Sequence, residues 1–91
     1  GHAGYDDPGK DIVCAGVSAV TVGAVNAIEK LTGIVPKTRM RGGWLSAETP
    51  EIGDELRDTQ AQWLLEGMVV SLETIATAYA KYVQIQDITR E

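Results

Sequence analysis

The longest helical repeat in the sequence covers residues 54–80, more than a quarter of the 91-residue chain. Apolar side chains recur there at steps of three and four, which is the spacing of one helix face. At about 1.5 Å per residue this helix would be roughly 40 Å long, so its apolar face needs other elements or a second subunit to cover it. The stripe consists of Leu56, Trp63, Leu64, Met68, Leu72, Ile75 and Tyr79, widened by Leu65, Val69 and Ala76.

A second helical repeat lies near the N-terminus. Asp11 is its predicted N-cap, and Gly33 is its predicted end. Small residues thin the helix on several sides, so we expect a central, largely buried helix. Its apolar positions are Ile12, Val13, Val17, Val20, Ala24, Ile28 and Leu31.

The segment between the helices predicts a β-hairpin. Residues 34–41 and 44–48 are short β-prone runs, joined by the two-residue turn Gly42-Gly43. Residues 82–88 suggest a final short strand. Two long helices packed against a small antiparallel sheet give the α+β class, and residues 1–91 form a single domain.

Composition limits the partners. The net charge of −5, with only eight Lys and Arg residues, argues against direct nucleic-acid binding and favours a basic protein or peptide partner. No apolar run looks long enough to span a bilayer and no secretory leader is visible, so we expect a cytoplasmic protein with no membrane partner. A single cysteine cannot form an internal disulfide, and we expect no metal and no cofactor.

The only histidine, His2, and the only cysteine, Cys14, flank a turn-rich loop that contains Gly4, Tyr5 and Gly9. A free cysteine with a pKa of about 8.5 is mostly protonated at neutral pH, so a nucleophilic thiol needs an activating environment. A helix start at Asp11 and an imidazolium from His2 would supply it. The loop is expected to be mobile and to close over a substrate.

Spacing alone leaves alternatives open. A lone cysteine in an apolar segment is more commonly a small buried hydrophobe than a nucleophile. Asp11 either orients His2 or only caps the helix. Ser18, one turn beyond Cys14, either bonds near the sulfur or bonds back to its own helix.

The first eighteen residues also carry a resemblance. Gly-His-Ala, a Gly-rich loop and Asp-Ile-Val-Cys-Ala-Gly-Val-Ser resemble the signature of the ribosomal-processing cysteine proteases. Further positions fit the rest of that family's pattern: Asn26, Leu64, Leu65, Met68, Leu72 and residues 79–83. Members usually begin with a short strand hairpin before the Gly-His pair, so part of the sheet is expected to be missing here.

The resemblance implies a cysteine endopeptidase that removes the N-terminal extension of a large-subunit ribosomal protein. His2 and Cys14 match the catalytic pair, and Asp11 and Ser18 match recurrent motif positions. The alternative is an interaction module that binds a ribosomal protein or an assembly factor without cutting it. A redox-sensing thiol is weaker, since no resolving cysteine is present. The long helix and the small core further predict a homodimer.

Overall fold

The computed structural model describes residues 8–41, 44–80 and 83. Along the chain, two helices flank a two-stranded hairpin in the order α1 (Pro8–Thr32), β1 (Lys37–Arg41), β2 (Trp44–Glu48) and α2 (Glu55–Ala78). This arrangement confirms the predicted α+β class. The most extensive contacts join α1 to α2 and β1 to β2.

Helix α1 begins at Pro8, three residues before its predicted cap. Proline suits the first helical position because its φ is already helical and its missing N–H would be unpaired there anyway. Asp11 is therefore inside the first turn, where a carboxylate still favours the helix dipole. The end was predicted correctly: Gly33 has a φ of +77°, and its N–H donates to the carbonyl of Glu29 at 2.8 Å.

The hairpin is antiparallel, as predicted, with Lys37 opposite Glu48 and Arg41 opposite Trp44. Strand β1 is shorter than the predicted run over residues 34–41. Pro36 has no N–H to give to a ladder, and Ile34 is buried in the core before the strand begins. The Gly42-Gly43 turn lies outside the described residues. So does the predicted last strand, apart from Val83, which is not in a strand.

Helix α2 begins and ends within two residues of its predicted bounds. Two acidic residues at its start, Asp54 and Asp58, have a structural role. Asp54 is the N-cap, and its carboxylate accepts from the N–H of Arg57 at 3.1 Å. Asp58 folds the preceding turn back, accepting from the N–H groups of Ile52 at 2.9 Å and Gly53 at 3.1 Å. These bonds satisfy donors that a helix start and its entry turn would otherwise leave unpaired.

The core lies where the two helices meet. Ile28, Ile34 and Ala61 are fully enclosed, and Leu64 and Leu65 pack against them. The prediction of a largely buried α1 is wrong, because the helix buries only one face, through Val13, Thr21, Ile28 and Thr32. Its other face, with Ile12 and Val22, is not covered by the described elements. Likewise, α2 buries Ala61, Met68 and Leu72 but exposes Leu56, Trp63 and Tyr79 from the predicted stripe.

Within α1, the segment Asp11–Thr32 is long and apolar enough to cross a membrane by length and composition. Residues 12–28 contain no charged side chain. The expectation that no apolar run is long enough to span a bilayer is therefore wrong. The match is weak evidence for a membrane span, since the core helix of a soluble protein and a signal sequence near the N-terminus pass the same test.

Replacing Ile28 by Ala should lower the free energy of unfolding by about 3 kcal/mol, because it leaves a cavity at a fully enclosed position. The matched control is Ile12→Ala on the exposed face of the same helix, with an expected change within about 0.5 kcal/mol. Urea unfolding followed by circular dichroism measures both. Equal losses at the two sites would contradict this helix packing.

Candidate active site

Cys14 is the seventh residue of α1, and its thiol is free and exposed. The interpretation of this residue as a small buried hydrophobe is therefore wrong. It lies on the helix face that α2 does not cover, so a molecule outside the chain can reach the sulfur. Access of this kind is the first requirement for a nucleophilic thiol.

Asp11, Cys14 and Ser18 share one side of α1, because they are three and four residues apart in one continuous helix. The Oδ1 atom of Asp11 is buried and has no hydrogen-bond partner among the described residues. A carboxylate oxygen in this state is an unfilled acceptor, and such groups are uncommon in proteins. The interpretation of Asp11 as only an N-cap is wrong, since the helix starts before it.

The hydroxyl of Ser18 is exposed and bonds to no described residue. Two threonines in the same helix behave differently. Thr21 donates to the carbonyl of Val17 at 2.8 Å, and Thr32 donates to that of Ile28 at 2.6 Å. The alternative in which the Ser18 hydroxyl donates to a carbonyl of its own helix is therefore wrong. Its hydroxyl faces outward one turn beyond the sulfur.

The early start of α1 changes the electrostatics predicted for Cys14. The unpaired N–H groups of a helix belong to its first four residues, and the dipole effect falls off within one turn. Cys14 is six residues after Pro8, or about 9 Å along the axis at about 1.5 Å per residue. The backbone N–H groups around it are engaged in the helix, so the predicted activation of Cys14 by a helix start at Asp11 is wrong.

The remaining predicted site residues are His2, Gly4, Tyr5 and Gly9. His2, Gly4 and Tyr5 lie outside the described residues. Gly9 was predicted in the substrate loop but belongs to the first turn of α1. Within residues 8–41, 44–80 and 83, no group of three or more His, Cys, Asp or Glu side chains is placed to hold a metal ion.

One feature near the site was missed from the sequence. A groove of about 140 Å³ lies between α1 and the hairpin, on the same side of the helix as Ser18. It begins two turns beyond Cys14, roughly 10 Å along the axis. Hairpin side chains enter this region only because the hairpin folds back over α1, and no local sequence signal shows that fold-back. The groove is lined by Thr21, Val22, Val25, Asn26, Thr38 and Leu45.

Residues 1–84 match the family model described as cysteine protease Prp. The chain is 48% identical over 81 residues to the ribosomal processing cysteine protease Prp of Bacillus subtilis (strain 168), covering 87% of this chain and 72% of that protein. It is 38% identical over 87 residues to the Prp of Staphylococcus aureus (strain Mu50 / ATCC 700699), covering 93% and 78% respectively.

Solved structures agree with the sequence relatives. The fold is similar to the crystal structure of the essential ribosomal processing protease Prp from S. aureus in complex with a substrate peptide. The TM-score is 0.69 at 34% identity, over 94% of this chain and 79% of that one. It is also similar to SMU.848 from Streptococcus mutans, with a TM-score of 0.68 at 28% identity, over 92% of this chain and 74% of that one. From the match over residues 1–84 and these relatives, we conclude that the chain belongs to the cysteine protease Prp family.

Proposed function

We propose that this protein is a cysteine endopeptidase that removes the N-terminal extension of a large-subunit ribosomal protein, with Cys14 as its nucleophile. One observation carries the assignment. The chain belongs to a cysteine protease family, and Cys14 is its only cysteine and is exposed. The relatives in B. subtilis and S. aureus are named ribosomal processing proteases, which supports the substrate class.

The reaction begins when the Cys14 thiolate attacks the carbonyl carbon of the scissile peptide bond and forms a C–S bond. The C–N bond then breaks, and the leaving amine takes a proton from the His2 imidazolium. Water next attacks the thioester, neutral His2 accepts a proton from it, and the thiolate is released with the new carboxylate. The two steps together hydrolyse one peptide bond and return the pair to its starting state.

The helix terminus is too far from Cys14 to stabilise a thiolate, so His2 takes that role as the positively charged partner. The backbone can bring it there. His2 is six positions before Pro8 in the sequence, and this length of chain can extend roughly 20 Å, about twice the axial distance from Pro8 to Cys14. The chain between His2 and α1 is thus long enough for the imidazole to reach the exposed sulfur.

Asp11 acts as the positioning residue for His2. Its Oδ1 atom is buried and lacks a partner, and it lies one helical turn from Cys14 on the same side of α1. An imidazole that donates one ring N–H to this oxygen directs its other nitrogen toward the sulfur and keeps its positive charge. Ser18, on the far side of the sulfur, donates its hydroxyl near the thiolate or the bound peptide.

The bound peptide lies along the exposed side of α1, with Cys14 at the scissile bond. The groove between α1 and the hairpin begins roughly 10 Å further along, which an extended chain covers in about three residues. Its lining mixes the apolar side chains of Val22, Val25 and Leu45 with the polar groups of Asn26 and Thr38. It fits an apolar substrate side chain flanked by backbone hydrogen bonds.

The proposal also covers the cellular location of the enzyme, the charge of its substrate and its oligomeric state. A ribosomal substrate places it in the cytoplasm, and the net charge of −5 attracts a basic ribosomal protein. We also propose that the enzyme is a homodimer, because both helices leave large apolar side chains exposed, including Leu31, Leu56 and Trp63.

Substitution of the pair tests the mechanism directly. Cys14→Ala, Cys14→Ser and His2→Ala should each lower the cleavage rate of the precursor by at least about a thousandfold, while precursor binding is retained. Because the pair acts as one unit, Cys14→Ala combined with His2→Ala should cost little more than either alone. Mass spectrometry of the trimmed precursor measures the rate.

The matched control variant is Ala15→Ser, which keeps the helix and leaves the pair intact. A Cys14→Ala protein that still trims at a rate comparable to the parent would overturn the assignment. Retained binding without cleavage by the parent protein would favour an interaction module instead.

Salt should weaken association with the basic substrate. The value of kcat/KM should fall several-fold between 50 and 500 mM salt, since screening shortens the reach of charge from about 14 to about 4 Å. Glu51→Gln with Glu55→Gln should flatten this response, because both side chains are exposed and neither forms the N-cap contacts of Asp54 and Asp58. Glu73→Gln, at the far end of α2, is the control. An unchanged kcat/KM across this range would show that the charge does not steer the substrate.

A further inference from the structure

Positive charge is concentrated in one part of this acidic chain. Residues 30–47 contain four of the eight Lys and Arg residues and no acidic residue, although the whole chain has a net charge of −5. Three of these four, Lys37, Arg39 and Arg41, belong to the short strand β1. The net charge, which argues against nucleic-acid binding by the chain as a whole, averages over this segregation and does not describe the surface of the hairpin.

The three basic positions lie on one face of the hairpin. Residues 37, 39 and 41 alternate along β1, and alternate residues of a strand share a face. The opposite face is turned toward α1, because Thr38 and Leu45 line the groove between the hairpin and that helix. Lys37 and Arg39 are both exposed. The basic positions therefore belong to the outer face of the hairpin, away from α1.

Strand β2 completes this outer face with mostly uncharged positions. The register pairs Arg39 with Ser46 and Arg41 with Trp44, and directly paired residues share a face. Among the five register pairs of the hairpin, the one acidic residue is Glu48, opposite Lys37 at the end where β1 begins. Positive charge thus dominates the rest of the face, toward Arg41 and Trp44.

We propose that the outer face of the hairpin, defined by Lys37, Arg39, Arg41, Trp44 and Ser46, binds single-stranded RNA. Alternate residues of a strand are about 6.7 Å apart, a step similar to that between successive phosphates of an extended RNA strand. Each basic residue can then neutralise one phosphate, and a serine hydroxyl can donate to a phosphate oxygen. Tryptophan at the end of the basic row is a residue type on which an unpaired base stacks.

This combination favours RNA over an acidic peptide. Arginine binds carboxylates as well as phosphates, so positive charge alone does not separate the two partners. The aromatic position beside Arg41 adds base stacking, which an acidic peptide does not use. A ribosomal protein substrate is also destined to lie beside RNA. The choice of RNA therefore rests in part on the proposed function, whereas the charge of the face does not.

The two faces of the hairpin allow RNA and substrate to bind together. The groove proposed for a substrate side chain is on the inner face, at Thr38 and Leu45, and the basic row is on the outer face. Bound RNA would therefore leave the groove and the exposed Cys14 open. The enzyme could in this way hold a precursor that is already associated with RNA.

The test is a fluorescence anisotropy titration of labelled oligouridine with the full chain. Three phosphate contacts predict that the logarithm of the association constant falls with the logarithm of the salt concentration at a slope of about −2. Binding should thus weaken roughly twentyfold between about 50 and about 200 mM salt. Arg39→Gln combined with Arg41→Gln should weaken binding at least about tenfold and reduce the slope to about −0.7, while both residues changed to Lys should retain most of the affinity.

Two further substitutions separate this face from the overall charge and from charge alone. Lys30→Gln removes one exposed positive charge from the last turn of α1, outside the hairpin, and should leave binding within about twofold of the parent. Trp44→Leu should weaken binding at least about fivefold at unchanged slope, and Trp44→Phe should retain most of it, because stacking needs an aromatic ring.

Two outcomes would overturn the proposal. One is an affinity of the Arg39→Gln, Arg41→Gln variant that equals that of Lys30→Gln. The other is displacement of the labelled RNA by oligoglutamate as effectively as by unlabelled oligouridine at equal charge concentration, which would identify an acidic peptide as the partner.

Cleavage separates this inference from the proposed function. Cys14→Ala should bind oligouridine as the parent does, because the sulfur lies on α1 and not on the outer face of the hairpin. A parent protein that binds oligouridine as described but does not trim the precursor would refute the protease assignment alone. A parent protein that trims the precursor but does not bind oligouridine at low salt would refute the RNA-binding face alone.

Discussion

The packing of α1 against α2 around Ile28, Ile34 and Ala61 is the interaction on which the rest of the structure depends. It uses one face of each helix and leaves the opposite faces exposed. For α1, the exposed face holds the sulfur of Cys14, and for α2 it holds Leu56, Trp63 and Val70. The core therefore orients two separate exposed surfaces. Thr32 stabilises the junction, since its buried hydroxyl donates to Ile28 and accepts from the N–H of Ile34 at 3.1 Å.

The position of the helix start determines how the nucleophile is activated. Because α1 begins at Pro8, the helix terminus lies too far from Cys14 for its N–H groups to stabilise a thiolate. In the proposed mechanism, activation of Cys14 therefore depends on a residue brought to the sulfur from outside the helix, and the unfilled Oδ1 acceptor of Asp11 is where we propose that this residue is held. An active site that is completed by a separate segment can assemble only when its substrate binds, which makes the enzyme more specific for that substrate.

Much of the fold could be predicted from the sequence where a signal had one interpretation. The apolar repeat placed α2 to within two residues of its observed ends, and Gly42-Gly43 between β-prone runs identified the hairpin. The start of α1 was ambiguous, because Asp7 and Asp11 are both capping residue types and only Pro8 favours the earlier start. The burial of α1 was overestimated because a helix of Val, Ala and Gly has weak amphipathicity, so its sequence does not distinguish a covered face from an exposed one. The pair of His2 and Cys14 remains a prediction from the family resemblance, while the groove at Thr38 and Leu45 depends on tertiary contact and has no local signature.

The central claim is that the exposed sulfur of Cys14 attacks the substrate. The most direct measurement is intact-mass spectrometry of the protein, quenched in acid during turnover of a precursor peptide, followed by peptide mapping. A covalent adduct should appear with the mass of the N-terminal extension, attached to Cys14 as a thioester that hydroxylamine releases. The account would be contradicted if the precursor is trimmed steadily, under conditions shown to accumulate a covalent intermediate, and no adduct appears on Cys14.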